Sequence, residues 1–277
     1  MPNTNSSSKR SFLLRLQGSS LSVIIFSILV SLANANWVAF NDCVYRDGQH
    51  IAKNITKFGI GRGNPHPESG NLLDQSNGSD TGAKVTFLEH KSTGNSINSA
   101  TDKAEFANGS DAANIFNDFV DATGNMSYND GPGWYLDLKI EGLDSAGQYT
   151  FVGTVQRNGG GGYKERVTNW KILDAKAFKN ESSKGVHTIS EDSIEFSTGD
   201  NSSGYVARWT GIQSGDDGTI IIRTSHSIGS DNGGIDGAHA YKGYAGGVFM
   251  LEFHGRGTSV KAKGKLTTMW SLLKSTY

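Results

Sequence analysis

The segment 133–157 constrains the fold more than any other part of the chain. Its first half alternates apolar and polar side chains, with apolar residues at Trp134, Leu136, Leu138 and Ile140. This two-residue period predicts a β-strand with one buried and one solvated face. A second alternating run, 149–157, follows the turn residues Gly142, Asp144 and Gly147. The pair predicts an antiparallel hairpin in a β-rich fold.

Similar runs recur between glycine-rich turns along the rest of the chain. The 36 glycines against 4 prolines predict many turns. We expect further strands at 37–42, 83–89, 163–173, 193–197, 204–212, 219–225 and 247–254. Ser110 is a helix N-cap candidate, and the apolar residues at helical spacing behind it are Ala112, Ile115, Phe116 and Phe119. The pattern predicts an all-β fold, an antiparallel β-sandwich (jelly roll) over 36–254, with one short helix.

The core of this sandwich is predicted from the apolar positions of the alternating strands. Its members are Leu136, Leu138, Ile140, Phe151, Val155, Ile194, Ile220, Ile222 and Leu251. The chain has a single cysteine, Cys43, so no internal disulfide can form. We expect this thiol to be buried near the first strand, although an intermolecular bridge or a reactive thiol would also fit the sequence.

Residues 1–35 resemble a secretory signal peptide. Three basic residues, Lys9, Arg10 and Arg15, precede the largely apolar run 21–32 and the small-x-small motif at 33–35. An uncleaved anchor is the alternative, but this run is shorter than the ~20 residues of a spanning helix. We therefore expect cleavage after Ala35 and a secreted, extracellular or cell-surface protein with no membrane span in the mature chain.

The charge of the mature chain argues against a nucleic-acid partner. The whole chain has 26 basic and 27 acidic residues, and removal of 1–35 leaves 23 against 27, a net charge of −4. The densest basic segment, 261–265, lies in a tail.

Within that tail, 255–277, we predict a linker and a short C-terminal helix with Leu266, Met269, Trp270 and Leu273 on one face. Such a stripe needs a docking partner, either the sandwich or a cell-surface component.

Several stretches together resemble the galactose-binding-like jelly-roll modules of secreted bacterial multidomain proteins. They are Trp-x-Ala-Phe-Asn-Asp at 37–42, Gly-Trp-Tyr-Leu-Asp-Leu at 133–138, Gly-Tyr-Val-Ala-Arg-Trp-Thr-Gly-Ile at 204–212 and Phe-Met-Leu-Glu at 249–252. The resemblance covers about 37–254. It implies a carbohydrate-binding or surface module, in some members with a structural calcium ion.

Oxygen-rich turns supply candidate calcium ligands. Asp74, Asp80 and Asp200 lie in such turns, and Ca²⁺ takes six to eight oxygen ligands from loops of this kind. Ordinary turn formation is the competing explanation for each. The seven histidines lack zinc-ligand spacing, and neither a nucleophile elbow nor a phosphate loop is present. A triad or a glycosidase carboxylate pair stays open, because such partners converge only in the folded chain.

Aromatic and basic residues form the most suggestive set for binding. The set contains Arg157, Tyr163, Arg166, Trp170, Tyr205, Arg208, Trp209, Tyr241 and Tyr244. Alternation places Arg166, Thr168 and Trp170 on one strand face, and Trp209 in the core. We predict that Arg157, Tyr163, Arg166 and Trp170 bind a glycan or cell-surface polymer, with core packing as the alternative for each aromatic residue.

The predicted function is a secreted, non-catalytic carbohydrate-binding or surface-interaction module. A purely structural surface protein and, third, a glycan-active hydrolase are the alternatives.

Overall fold

The computed structural model describes residues 36–43, 52–60, 67–90, 98–100, 106–120, 125–128, 131–157 and 163–256. The elements in these ranges are β1 (Trp37–Asn41), β2 (Ser69–Leu73), β3 (Asp80–His90), β4 (Asn98–Ala100), α1 (Asp111–Phe116), β5 (Asn125–Tyr128), β6 (Tyr135–Glu141), β7 (Gly147–Thr154), β8 (Val167–Leu173), β9 (Ala175–Asn180), β10 (His187–Ser190), β11 (Ser193–Ser197), β12 (Ala207–Ser214), β13 (Ile220–His226), a 3-10 helix (Ser230–Asn232), β14 (Gly243–Ala245) and β15 (Val248–Arg256). The predicted signal peptide and C-terminal helix lie outside the described residues.

Two large antiparallel sheets form a β-sandwich, which confirms the predicted architecture at this level. The five-stranded sheet has the order β1-β15-β7-β12-β9, and the seven-stranded sheet has the order β10-β11-β8-β13-β6-β3-β2. A small third sheet has the order β14-β5-β4. Every predicted strand overlaps an observed one, and the last strand continues to Arg256, two residues into the segment expected to be a linker.

The central prediction of a hairpin is wrong. Strand β6 pairs with β3 and β13 in the seven-stranded sheet, whereas β7 pairs with β15 and β12 in the five-stranded sheet. The turn residues between them carry the chain from one sheet to the other. Gly142 has a φ of 76°, and the Leu143 N–H donates to the carbonyl of Gly218 at 3.0 Å. Alternation reveals that a strand has a buried face, but long-range packing selects its partners.

The inner faces of the two sheets form the core. All nine residues predicted to lie there are buried: Leu136, Leu138, Ile140, Phe151, Val155, Ile194, Ile220, Ile222 and Leu251. Cys43 is also buried, as expected. Trp209 is in the core as well, with its ring centroid 6.4 Å from that of Phe151.

Helix α1 covers part of the outer face of the five-stranded sheet. The Ser110 side chain caps it by accepting a hydrogen bond from the Ala113 N–H, as the sequence predicts. Beyond the helix, Phe119 stacks on Phe40 of β1 at a centroid distance of 4.4 Å. Thr150 and Thr154, two polar residues of β7, are also buried, and their hydroxyls bond to Nε2 of His254 and to the carbonyl of Tyr205. In the part of the chain that the structure describes, no helix has the length and apolar character needed to cross a membrane.

Candidate functional site: the arginine–tyrosine cluster

Two arginines and two tyrosines meet at one end of the sandwich, and we call them the arginine–tyrosine cluster. Arg157 follows strand β7, and its backbone N–H donates to the Thr198 carbonyl at 3.0 Å. Arg166 directly precedes β8, where its N–H closes a turn onto the carbonyl of Tyr163 at 2.9 Å. Tyr244 comes from the middle of β14. Three separate strands therefore position the four side chains.

The two guanidinium groups converge on a single hydroxyl. Nη1 of Arg157 donates to the Tyr244 Oη at 2.6 Å, and Nη1 of Arg166 donates to the same atom at 2.8 Å. Both groups also lie over the ring of Tyr163, with guanidinium carbons 3.8 Å (Arg157) and 4.5 Å (Arg166) from its centroid. Hydrogen bonds from cations and contacts with an aromatic face both favour a fixed guanidinium orientation.

Burial shapes the electrostatics of the cluster. It raises the pKa of Tyr244 above its ordinary value, although the hydrogen bond from Arg157 and the charge of Arg166 act in the opposite direction. The phenol is therefore neutral at neutral pH. Arg166 is only 9% exposed, and its Nε has no hydrogen-bond partner among the described residues. Among the described residues, Arg166 takes part in no ion pair either.

The surroundings of the cluster carry charges of both signs. The pKa of the nearby His239 is lowered by burial first, and then by the charges of Lys242 and Arg166, while Glu165 opposes this effect. The His239 backbone N–H donates to the carbonyl of Glu165 at 2.8 Å, which fixes this segment beside the cluster. Lys242 and Glu165, one cation and one anion, therefore both act on this segment beside the cluster.

Buried hydrogen bonds hold the cluster to the sandwich. The Thr168 hydroxyl donates to the carbonyl of Tyr244 at 2.7 Å and shares a 2.7 Å hydrogen bond with the Thr198 hydroxyl. The Thr198 N–H in turn donates to the carbonyl of Arg166 at 2.9 Å. A site supported by rigid strands in this way keeps its geometry before a ligand arrives.

The structure brings together three of the four residues predicted to bind ligand. Arg157 and Tyr163 are partly exposed, and Arg166 lies beneath them. Trp170 does share a face with Arg166 and Thr168, but this is the inner face of the sheet. Its ring is fully buried and stacks on Phe196, so a ligand at the surface cannot touch it.

Tyr244 is the member that sequence reasoning did not place in the site. It belonged to the wider aromatic and basic set, yet 78 residues separate it from Arg166. Strand β14 has only three residues and pairs with β5, so the local pattern contains no clear strand signal. Only the folded chain reveals that its hydroxyl joins the two arginines.

Two of the three predicted calcium ligands, Asp74 and Asp80, take part in local turn contacts, and the third, Asp200, forms an ion pair. Asp74 accepts hydrogen bonds from the Ser76 N–H and hydroxyl, and Asp80 accepts one from the Gly82 N–H. Asp200 lies 3.6 Å from the Lys164 ammonium. Across the described ranges, no three histidine, cysteine or acidic side chains group closely enough to hold a metal ion. Calcium binding stays a prediction from the sequence.

Three comparisons, with protein-family models, with curated proteins and with solved structures, gave no match to this chain. The galactose-binding-like resemblance therefore stays a prediction.

Proposed function

We propose that this chain is a secreted, non-catalytic carbohydrate-binding or surface-interaction module whose ligand binds at the arginine–tyrosine cluster. One observation carries the proposal: Arg157 and Arg166 both donate to the Tyr244 hydroxyl and both lie over the ring of Tyr163. Oriented guanidinium donors beside a partly exposed aromatic ring can serve the hydroxyl groups and the C–H faces of a saccharide.

The cost of burying charge supports a binding role. A guanidinium removed from water destabilises a fold unless it is well paired, and apolar side chains of similar volume often pack as well or better. The cluster nevertheless holds the buried guanidinium of Arg166, whose Nε has no hydrogen-bond partner among the described residues. The rival is a purely structural cell-surface or extracellular-matrix protein, in which the cluster only fastens β14 to the sandwich.

The chemistry of the cluster favours binding over hydrolysis. Guanidinium and phenol groups donate hydrogen bonds and carry charge, whereas glycoside hydrolysis uses two carboxyl groups on either side of the scissile bond. The four residues of the cluster include no carboxyl group. A hydrolase would therefore need a site elsewhere in the chain.

Export, the jelly-roll connection of the strands and a docking helix in the C-terminal tail belong to the same proposal. Their support is the signal-like pattern of 1–35, the galactose-binding-like resemblance and the apolar stripe of the tail. Mass spectrometry of the protein recovered from culture medium tests export directly. The expected N-terminus is Asn36, and an intact chain confined to cells would overturn this part of the proposal.

Glycan-array screening of the full chain, followed by calorimetric titration, tests the binding role. Loss of a charge-assisted hydrogen bond worth about 1.5–3 kcal/mol should weaken binding about 10- to 100-fold in Arg157→Ala. Arg256→Ala is the matched control, because Arg256 is 59% exposed and pairs with Asp144 outside the cluster. Circular dichroism establishes that both variants are folded.

Two results would overturn the binding role at this site. One is the absence of binding to every glycan on the array. The other is full affinity in a folded Arg157→Ala variant, which would place the ligand elsewhere. In the structural alternative, changes in the cluster reduce the unfolding temperature and nothing else.

A further inference from the structure

We infer that the segment 227–242 is a pH-sensitive loop, closed at neutral pH and opened in acid when His226 and His239 take up protons. We call this segment the histidine loop. The inference goes beyond the proposed binding role and does not depend on a ligand. It follows from the direction of the hydrogen bonds at the two ends of the loop, because both imidazoles act as acceptors for backbone N–H groups.

His226, the last residue of β13, holds the start of the loop. The Gly133 N–H donates to its Nε2 at 2.9 Å, and its Nδ1 lies 2.7 Å from the Ser227 carbonyl oxygen. A carbonyl oxygen can only accept, so Nδ1 carries the proton and Nε2 is the acceptor. Within the described ranges the ring contacts that of Trp134, the residue opposite on β8 is the uncharged Thr168, and no charged side chain bonds to the imidazole.

His239 holds the end of the loop. Its Nδ1 accepts hydrogen bonds from the backbone N–H groups of Tyr241 and Lys242, each at 3.3 Å. An acceptor at Nδ1 places the single proton of the neutral ring on Nε2. The ring of Tyr241 packs edge-on against the imidazole at a centroid distance of 4.7 Å. These contacts close a short turn directly before β14.

Protonation would remove both acceptors. A charged imidazole has an N–H group at each nitrogen, so the rings of His226 and His239 would then direct hydrogens at the backbone donors that they now accept from. A backbone N–H that loses its partner in this way destabilises the closed loop. Imidazole is the side chain whose charge ordinarily changes between about pH 5 and 8. A modest fall in pH therefore acts on both ends of the loop.

The groups that face His239 favour its neutral form. Burial is the first cause of its lowered pKa, followed by the charges of Lys242 and Arg166, whereas Glu165 acts in the opposite direction. The closed loop therefore binds a proton less readily than an open loop, in which the pKa of this histidine returns to its ordinary value of 6.5. By linkage, the free energy of opening decreases as the pH falls below this value.

The middle of the loop is held by contacts that do not need a neutral imidazole. Glu195 accepts hydrogen bonds from the N–H groups of Ile228 and Ile235. Nε2 of His187 lies 2.6 Å from the carbonyl oxygen of Gly233, so this ring must donate, and it can donate whether neutral or charged. Opening in acid should therefore be confined to the two ends of the loop.

Opening of the loop end would reach the arginine–tyrosine cluster. Residues 239–242 run directly into β14, and Tyr244 of this strand accepts hydrogen bonds from Arg157 and Arg166. Loss of the turn before β14 would loosen the strand that positions this hydroxyl. The loop would thus make the arrangement of the cluster depend on pH.

Amide hydrogen exchange of the full chain, followed by NMR at about pH 7.5 and pH 5, tests the inference. Protection is expressed relative to the intrinsic exchange rate at each pH. At the lower pH it should fall at least about tenfold for the amides of Gly133, Tyr241 and Lys242. The amides of Ile228 and Ile235, which donate to a carboxylate, should keep their protection.

Two variants replace each imidazole by an acceptor that does not titrate. His226→Gln can offer an amide oxygen to the Gly133 N–H, and His239→Asn can offer one in the position of Nδ1. The loss of protection in acid should disappear at the corresponding amides. His187→Gln is the matched control, because it keeps a donor on the same loop and should leave the loss in acid unchanged.

Three results would overturn the inference. The first is equal protection of the three end amides at both pH values. The second is a loss in acid that persists in the folded double variant His226→Gln/His239→Asn. The third needs no variant: ring nitrogen spectra at neutral pH that show the proton of His226 on Nε2, or that of His239 on Nδ1, would contradict the acceptor roles. A blank glycan array would leave all three measurements unaffected, so failure of the binding role and failure of the pH-sensitive loop are separate results.

Discussion

The indole ring of Trp170 occupies the space into which a side chain at Gly246 would extend. A Cβ atom at Gly246 would lie 2.1 Å from the ring, and one at Gly153 would lie 2.5 Å from it. The ring is fully buried between the two sheets. Gly153 in β7 and Gly246 just before β15 therefore leave the space that the Trp170 ring, the largest side chain of β8, fills. Close packing of this kind leaves no room for an added methyl group.

Substitution Gly246→Ala should destabilise the fold by about 1–3 kcal/mol, because the backbone and the indole must both shift to admit the methyl group. Urea denaturation monitored by circular dichroism measures the change in the free energy of unfolding. Trp170→Phe removes the part of the ring that would collide with the methyl group. The double variant should therefore be more stable than the sum of the two single effects predicts. Simple additivity would show that the two residues do not share this space.

The central strands show how far the sequence could predict the fold. Alternation in β6 correctly identified a buried face containing Leu136, Leu138 and Ile140, because burial of one face imposes a two-residue period. The same period says nothing about partners, and so the expected hairpin of β6 and β7 was wrong. Short polar strands at sheet edges, such as β10, were missed because they have little apolar surface to alternate.

The candidate site illustrates the same limit. Arg157, Tyr163 and Arg166 are close in sequence around a glycine-rich segment, so their proximity in the fold could be predicted. Whether Trp170 faces the solvent or the opposite sheet depends on which side of β8 the five-stranded sheet packs, and a single strand does not contain that information. Tyr244 reaches the site through a three-residue strand that only tertiary contacts define.

A buried carboxylate holds the loop after β13. Glu195 on β11 has no solvent exposure, and both of its oxygens accept hydrogen bonds from this loop. The Ile228 N–H donates to Oε1 at 2.7 Å. The Ile235 N–H and the Ser227 hydroxyl donate to Oε2 at 2.8 and 2.9 Å. The Glu195 side chain thus accepts hydrogen bonds from loop N–H groups that a neighbouring strand would otherwise accept.

Glu195→Gln should loosen the segment 227–236. The amide has only one acceptor oxygen, so its NH₂ group must face a backbone N–H that then has no acceptor. The loss of one charged hydrogen bond should lower the stability of the loop by about 1.5–3 kcal/mol. Hydrogen exchange of the Ile228 and Ile235 amides should accelerate, while exchange in β6 should change only through global stability. Glu68→Gln removes the same charge from an exposed position and serves as the control. Unchanged exchange at both amides would contradict the anchoring role.

A second carboxyl group, 12% exposed, lies on the outer face of the five-stranded sheet. Glu252 of β15 is opposite Thr150 of β7, whose hydroxyl shares a 2.8 Å hydrogen bond with Nε2 of His254. Burial raises the pKa of Glu252 to about 7, although the charge of Arg208 acts in the opposite direction. Burial also lowers the pKa of His254, so its 3.5 Å approach to Glu252 is not an ion pair at neutral pH.

The pKa of Glu252 predicts a loss of stability as the pH rises. Between the ordinary carboxyl pKa of 4.5 and about 7, the folded state keeps a proton that the unfolded chain has released. The folded state then binds more protons, and the free energy of unfolding decreases with pH through this window. At about 1.4 kcal/mol per pKa unit, the contribution of Glu252 amounts to roughly 3 kcal/mol and is complete above pH 7.

Glu252→Gln tests this prediction, because an amide has the shape of the protonated carboxyl group and does not ionise. At about pH 4 the variant and the unmodified protein should have similar unfolding free energies, and at about pH 8 the variant should be the more stable by roughly 2–3 kcal/mol. Urea titrations at a series of pH values measure the difference. The lowered pKa of His254 makes the fold less stable below pH 6.5, which is a pH dependence of the opposite sign. Because His254 is present in both proteins, this effect largely cancels from the difference between their unfolding free energies. A difference that is constant with pH, as expected for the control Glu68→Gln, would mean that Glu252 ionises in the folded state as readily as in the unfolded chain.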